Sequence, residues 1–388
     1  MAIKILSVDD EQDLEILLTQ YFRRKIRKGE YEFSFAHNGL EALQMVLEKK
    51  DFDIILSDIN MPEMDGLTLL TKINEMRNPA LKCIMVSAYG DMGNIRSAMN
   101  NGAFDFATKP IDLDDLSRTI EKAIEEIEFV RKSQSEHTQL ESIKSDLAVA
   151  GEIQQAILPR LFPPISEFAD HVDLYATMTP AKEVGGDFFD FFKVDDQRVG
   201  FVIADVSGKG VPASIFMAVS RTLLRATGMR GTEPGECLTY VNNMLCSESV
   251  DSMFVTIFYG IYNIETGLLT YTNAGHNPPY IVHASGAVEA LPFSDNIVAG
   301  MFDGIDYTQH TLQLEKGDSL FLFTDGVTEA FNPAGEEFDE KGLEQALAQT
   351  GSQPSSHKIC QEILQAVNRF ADSEPQSDDI TVMAIKRL

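Results

Sequence analysis

Between Pro110 and Pro159 the chain carries no proline and a single glycine, Gly151. A helix interior tolerates proline at a cost of about 3 kcal/mol and glycine at about 1 kcal/mol. A stretch so free of both reads as one long helix over residues 112–158, ended by Pro159, Pro163 and Pro164. It separates two stretches of different rhythm. The expected organisation is a domain at 1–120, a helical linker with a regulatory helix at 121–160, and a second domain at 161–388. A chain of 388 residues is long enough for each domain to bury its own core.

Within the helix, Leu116, Ile120, Ala123, Ile127 and Val130 keep a three-to-four spacing, as do Leu140, Ile143, Leu147 and Ala150. The two seams are out of step by a residue, and Lys132–Glu136 between them is polar. The pattern fits a parallel coiled-coil homodimer through the linker, or a connector helix packing on its neighbours.

The first domain alternates strand-like runs, Ile3–Val8, Tyr31–Ala36, Asp53–Leu56, Cys83–Val86 and Phe104–Ala107, with helical patterns such as Glu11–Lys28. Five such repeats imply an α/β doubly wound, five-stranded parallel sheet with helices on both faces. Ligands of such sheets bind at the carboxyl ends of the strands, where Asp10, Asp58, Ser87 and Lys109 all fall. From about residue 170 the rhythm changes to short strands and glycine-rich turns. Strands are expected at 173–178, 199–204, 254–262, 268–273, 320–324 and 380–385, and helices at 212–227, 234–247, 341–348 and 355–370. This is an α+β layered domain, a β-sandwich with flanking helices.

Both domains set aspartates at strand ends: Asp9, Asp10 and Asp58 in the first, and Asp187, Asp205, Asp325, Asp378 and Asp379 in the second. Converging carboxylates repel, and burying them costs several kcal/mol each unless a cation neutralises them. Hard oxygen donors of this kind suit Mg²⁺ or Mn²⁺. The net charge of −28 lacks the basic footprint of a nucleic-acid binder. No run approaches the ~20 apolar residues of a membrane helix. The acids of MAIKILSVDD interrupt any signal-peptide core, and the four cysteines have no metal-ligand spacing. A cytoplasmic location is expected.

Leu56-Ser57-Asp58-Ile59-Asn60-Met61-Pro62 follows a strand, with Asp9-Asp10 supplied earlier and Lys109-Pro110 later. A cis Lys109–Pro110 bond fits this arrangement. Over roughly residues 1–125 the chain resembles the response-regulator receiver family. The resemblance implies that Asp58 accepts phosphate from a histidine kinase. Asp10 and Asp9 would bind Mg²⁺, directly and through water, with the Asn60 carbonyl completing the site. Lys109 would contact the phosphoryl group, and Ser87 and Phe106 would form the switch pair.

Four further segments stand in order: Val184-Gly185-Gly186-Asp187-Phe188, Ala204-Asp205-Val206-Ser207-Gly208-Lys209-Gly210, Phe323-Thr324-Asp325-Gly326, and Ser377-Asp378-Asp379. Over about residues 150–388 they resemble the PPM-type metal-dependent serine/threonine phosphatases, in their sporulation- and stress-type bacterial branch. Two Mn²⁺ or Mg²⁺ ions are implied. Asp187 would bridge both, the Val206 carbonyl would join one, and Asp205 would act directly or from behind. Asp325 and Asp378 would bind the second ion. Asp379 stands where many members have Asn, and Ser207 where many have a general-acid His. His276, in Asn273-Ala274-Gly275-His276-Asn277, either protonates the leaving oxygen or fixes its turn. Lys209 reads as a surface charge or a phosphate clamp. Val149–Leu161 resembles the branch's regulatory helix, with Ile153, Ile157 and Leu158 packing on the core.

Together the resemblances imply a phosphorylation-regulated response regulator with a phosphatase output, acting on a phosphorylated anti-sigma-factor antagonist in sigma-factor control. Coupling of about 1–3 kcal/mol through the linker would change activity about 5–150-fold. A non-catalytic, partner-sequestering response regulator is the alternative. A diguanylate cyclase is a weaker one, because Phe188 breaks the GGDEF pattern and Asp325 and Asp378 go unexplained.

Overall fold

A computed structural model describes residues 2–49, 51–88, 91–162, 164–248, 253–351 and 354–388. The chain forms two compact units, Met1–Ser142 and Ile143–Leu388.

In the first unit, β1 (Ile3–Val8), β2 (Tyr31–Ala36), β3 (Ile54–Asp58), β4 (Lys82–Ala88) and β5 (Asp105–Lys109) form one sheet in the order β2-β1-β3-β4-β5. Every neighbouring pair is parallel. Alternate residues feed cores on opposite faces: Leu6, Val8 and Ile55 on one, Ile5, Ile54, Leu56 and Ile84 on the other. Burial on both sides is why these strands read as continuous apolar runs. The expected helix at 11–28 is divided at Phe22 into Gln12–Tyr21 and Arg23–Arg27. Phe22 leaves helical geometry at φ −85° and ψ 8°, and its ring packs on Tyr31 and Phe33 with centroids 5.7 and 5.6 Å away.

The long helix is unbroken from Leu113 to Ile157. Its first seam does not await a partner. Leu116, Ile120, Ala123 and Ile127 are at most 1% exposed and join the core of Ile5, Ile54 and Ile84. The reason is the open apolar face of the sheet, which this helix covers. Arg131 reaches the buried Asp53 carboxylate on the same side. Leu140 and Ile143 of the second seam stay exposed, at 57% and 55%.

Among the described residues, the second unit has ten strands: β6 (Val172–Thr179), β7 (Phe188–Lys193), β8 (Arg198–Val206), β9 (Val255–Asn263), β10 (Leu268–Ala274), β11 (Tyr280–Val282), β12 (Val288–Ala290), β13 (His310–Gln313), β14 (Ser319–Phe323) and β15 (Ile380–Arg387). They form two antiparallel sheets, β13-β10-β9-β8-β7 and β12-β11-β14-β15-β6. Phe189, Phe191, Phe201 and Ile203 of one share a core with Leu174, Leu320, Leu322, Met383 and Ile385 of the other. Helices Val211–Gly228 and Pro234–Glu248 cover the outer face of the first sheet. Helices Asp339–Gln349 and Ser356–Ala371 cover the second through Leu343, Leu347, Ile359 and Ile363. The result is a sandwich between helical layers. β7 was not among the expected strands, because Asp190 interrupts the apolar run FFDFFK. On its helix side Asp190 is fully buried, with Arg221 at 2.9 Å and Arg225 at 2.7 Å.

Candidate functional site

In the first unit the carboxyl ends of β1, β3 and β5 bring the expected residues together. Asp9, Asp10 and Asp58 set carboxylate oxygens within 4.8 Å of one another. Lys109 Nζ lies 2.7 Å from Asp58 Oδ2 and 2.9 Å from Asp9 Oδ2. The Lys109–Pro110 bond is cis. Burial raises the Asp58 pKa, while its hydrogen bond to Lys109 pulls the other way and Asp9 adds to the rise. Burial also opposes the Lys109 charge, but the hydrogen bonds to Asp58 and Asp9 outweigh it and hold the ammonium above its ordinary range. A side chain at Gly66 would collide with the Asp58 carbonyl, a Cβ there standing 2.1 Å from it. The Asn60 N–H lies 3.4 Å from Asp58 Oδ1. Ser87 is fully buried with a hydroxyl that has no hydrogen-bond partner, and Phe106 on the adjacent strand is 36% exposed.

In the second unit Asp205 closes β8, Asp187 precedes β7, Asp325 follows β14 and Asp378 precedes β15. Asp187 is 1% exposed. Its Oδ2 accepts the hydroxyls of Thr324 at 2.8 Å and Thr381 at 2.6 Å. Asp205 shares a hydrogen bond with Asp187 and feels the charges of Asp325 and Asp378. Burial and then these neighbours push its pKa up to about 7. Burial, Glu329 and Asp378 push Asp325 up to about 6. Asp187 is likewise driven well above the usual carboxylate range by burial and by Asp205. Carboxylates that resist ionisation in this way are the donor set a hard divalent cation relieves. The Val206 carbonyl faces the same loop, 2.9 Å from where a Gly186 Cβ would stand.

Asp379 has a different task. Its Oδ1 accepts the Ala181 N–H at 2.8 Å, and its Oδ2 accepts those of Gly186 at 2.6 Å and Asp187 at 3.4 Å. Both oxygens therefore pin the loop that carries Asp187. Glycine is required there, since a Gly185 Cβ would stand 2.4 Å from Asp379 Oδ2. The helix end holds the same loop. Gln154, 7% exposed, donates to the Gly185 carbonyl and accepts the Gly185 N–H. Gly151 lets the helix approach, its Cβ position being 2.2 Å from the Glu183 carbonyl. Of the residues expected to pack on the core, Leu158 is buried in it and Ile157 packs against it, but Ile153 is 61% exposed and Gln154 faces inward in its place. Helical phase explains the exchange, since Gly151, Gln154 and Leu158 share one face.

His276 is 4% exposed, with Nδ1 2.9 Å from the Thr256 hydroxyl. Its N–H and carbonyl both bond the Asn273 amide, fixing the turn. Burial lowers its pKa to about 4, the Phe323 backbone only partly opposing this. The Ser207 hydroxyl accepts the Phe254 N–H at 3.0 Å. Lys209 is paired with Asp378 at 2.7 Å. Sequence reasoning missed Thr324, Thr381 and Gln154. The threonines stand beside Asp325 and two residues past Asp379, and that adjacency was the available signal.

Comparison with known proteins agrees with this architecture. Residues 195–388 match the family model of stage II sporulation protein E (SpoIIE), and residues 5–121 match that of the response regulator receiver domain. Phosphoserine phosphatase RsbU of Bacillus subtilis is 31% identical over 248 residues, 64% of this chain and 71% of that protein. Protein IcfG of Synechocystis is 32% identical over 270 residues, 62% of this chain but 41% of its own. The SiaA-PP2C domain of Pseudomonas aeruginosa shares the fold, with a TM-score of 0.56 at 21% identity, covering 64% of this chain and 98% of that one. No helix among the described residues is long and apolar enough to cross a membrane. The chain belongs to the stage II sporulation protein E (SpoIIE) family, joined to a response regulator receiver domain.

Proposed function

We propose that the chain is a phosphorylation-controlled response regulator whose output is a metal-dependent protein serine/threonine phosphatase. The observation that carries this is the placing of Asp187, Asp205, Asp325 and Asp378 at the ends of β7, β8, β14 and β15, where burial and neighbouring carboxylates raise the pKa values of Asp187, Asp205 and Asp325. A sequestering regulator has no use for such a cluster. Two Mn²⁺ or Mg²⁺ ions fit it. Asp205 and Asp187 would both serve as donors, Asp205 among neighbouring carboxylates and Asp187 with one oxygen already taken by Thr324 and Thr381. The Val206 carbonyl would join Asp187 and Asp205 as donors to one ion, and Asp325 and Asp378 would hold the other. The ions, when bound, would acidify a water for attack on phosphorus and offset the phosphoryl charge.

The chain's own residues set the geometry. Thr324 and Thr381 orient Asp187, and Asp379 and Gln154 fix its loop. Burial lowers the His276 pKa, which disfavours it as the donor of the proton to the leaving serine oxygen. In the receiver, Asp58 takes the phosphoryl group from a histidine kinase. Asp9, Asp10, Asp58 and the Asn60 carbonyl would hold Mg²⁺, and Lys109 would steady the phosphoryl oxygens. The unpartnered Ser87 hydroxyl bonds one of them and Phe106 follows. The long helix carries the change to the Gly185 loop. The exposed seam at Leu140 and Ile143 forms a homodimer. The substrate is a phosphorylated anti-sigma-factor antagonist in the cytoplasm, a reading supported by the likeness to a phosphoserine phosphatase.

Phosphate release from a phosphoserine-bearing antagonist protein tests this. Release should need Mn²⁺, vanish in Asp205→Asn, and respond to a small-molecule phosphodonor in the native chain but not in Asp58→Asn. Metal-independent release, or release that survives Asp205→Asn, would overturn the reading.

A further inference from the structure

Lys209 stands in the short loop between β8 and the helix Val211–Gly228. Gly208 and Gly210 flank it at φ +88° and +78°, each with open space where a side chain would be. Its Nζ lies 2.7 Å from Asp378 Oδ2 and donates to the Ser377 carbonyl at 2.7 Å. The other Asp378 oxygen, Oδ1, accepts the Asp379 N–H at 2.8 Å. Both oxygens of Asp378 are therefore engaged. Among the described residues, Lys209 is the side-chain cation paired with any of Asp187, Asp205, Asp325 and Asp378.

We propose that Lys209 is a tethered cation that competes with the second metal ion for Asp378. The proposal rests on the metal-centre reading above. An ammonium and a divalent ion on one carboxylate oxygen repel each other strongly at such separations. Lysine is a compact charge on a flexible four-carbon stem. Its side chain is 42% exposed, so it can swing into water at little cost. The ammonium shields part of the acidic cluster, and an ion held at Asp378 would displace it. The second ion is consequently held more weakly than the carboxylates alone would hold it. Lys209 thereby sets the metal concentration at which the site fills.

The test is Mn²⁺ binding by calorimetry to the full chain, with Asp10→Asn and Asp58→Asn present throughout to silence the receiver. Lys209→Met keeps the stem and removes the charge. It should tighten the weaker Mn²⁺ step about fivefold, the worth of a partly exposed ion pair, while Lys209→Arg stays near the parent. Without metal, Lys209→Met should melt at a lower temperature than the parent, because the acidic cluster has lost its counter-charge. Unchanged or weaker Mn²⁺ affinity in Lys209→Met would overturn the inference and leave the metal centre standing. Absence in the parent of any Mn²⁺ step removable by Asp205→Asn would overturn the metal centre and the inference with it.

Discussion

Gln154 and Gly185 exchange two hydrogen bonds: the side-chain amide donates to the glycine carbonyl at 2.6 Å, and its oxygen accepts the glycine N–H at 2.9 Å. A residue near the end of the long helix thus grips the backbone two positions before Asp187. Because both glycine groups are buried, no water can replace the amide without a rearrangement. Gln154→Ala should destabilise the second unit by about 1–3 kcal/mol and lower phosphatase turnover. Gln154→Glu keeps the shape but loses the donor to the Gly185 carbonyl, and should show an intermediate defect. Denaturant melts read beside single-turnover rates check this; wild-type turnover in Gln154→Ala would remove the helix end from control of the site.

Asp379 accepts three backbone N–H groups. Hydrogen bonds to a charged acceptor are worth about 1.5–3 kcal/mol, and they are not additive. Asp379→Ala should therefore destabilise the chain by about 3 kcal/mol, measured by urea unfolding. Asp379→Asn retains one acceptor oxygen and should lose less. If metal affinity falls in Asp379→Asn while stability does not, Asp379 is a ligand and not a loop anchor.

The raised carboxylates make a pH prediction with a definite sign. Asp205 and Asp325 go from 3.8 to about 7 and about 6 on folding. A raised pKa means that the folded state holds its proton more tightly. The contribution to stability is complete below the unfolded pKa and is lost as pH rises through the folded values. Metal-free protein should thus lose melting temperature between about pH 4 and pH 7, with Asp205→Asn flattening the slope. Mn²⁺ should restore stability at the alkaline end. Thermal melts in chelator and in Mn²⁺ decide it, and a metal-free slope of opposite sign would contradict the burial argument.

Leu140 and Ile143 expose more than half of their surface on the long helix, while the earlier seam is buried in the receiver core. Dimerisation through the helix should therefore depend on the later seam. Leu140→Asp with Ile143→Asp should convert a dimer to a monomer by light scattering, and leave the melting temperature of the receiver unchanged. A dimer that survives the pair would exclude this seam.

Much was legible in the chain because the physics is local. Continuous apolar runs between helical stretches specified a parallel sheet buried on both faces, and a proline-free, almost glycine-free span specified one helix over Leu113–Ile157. Aspartates at strand ends marked both sites, since a carboxylate there needs a reason. The break at Phe22 was not legible, because neither glycine nor proline announces it and the aromatic packing on Tyr31 and Phe33 is contributed from another strand. Nor was the fate of the linker's first seam. An apolar stripe has the same spacing whether it meets a second copy or its own sheet, and the sheet's uncovered face took it. Asp378 and Asp379 are neighbours of one residue type, yet one meets Lys209 and the other the Gly186 loop. Residue type and spacing specified that acids would gather. Which oxygen faces a backbone amide and which faces the acidic cluster depends on contacts across almost 200 positions of chain, and only tertiary packing decides those.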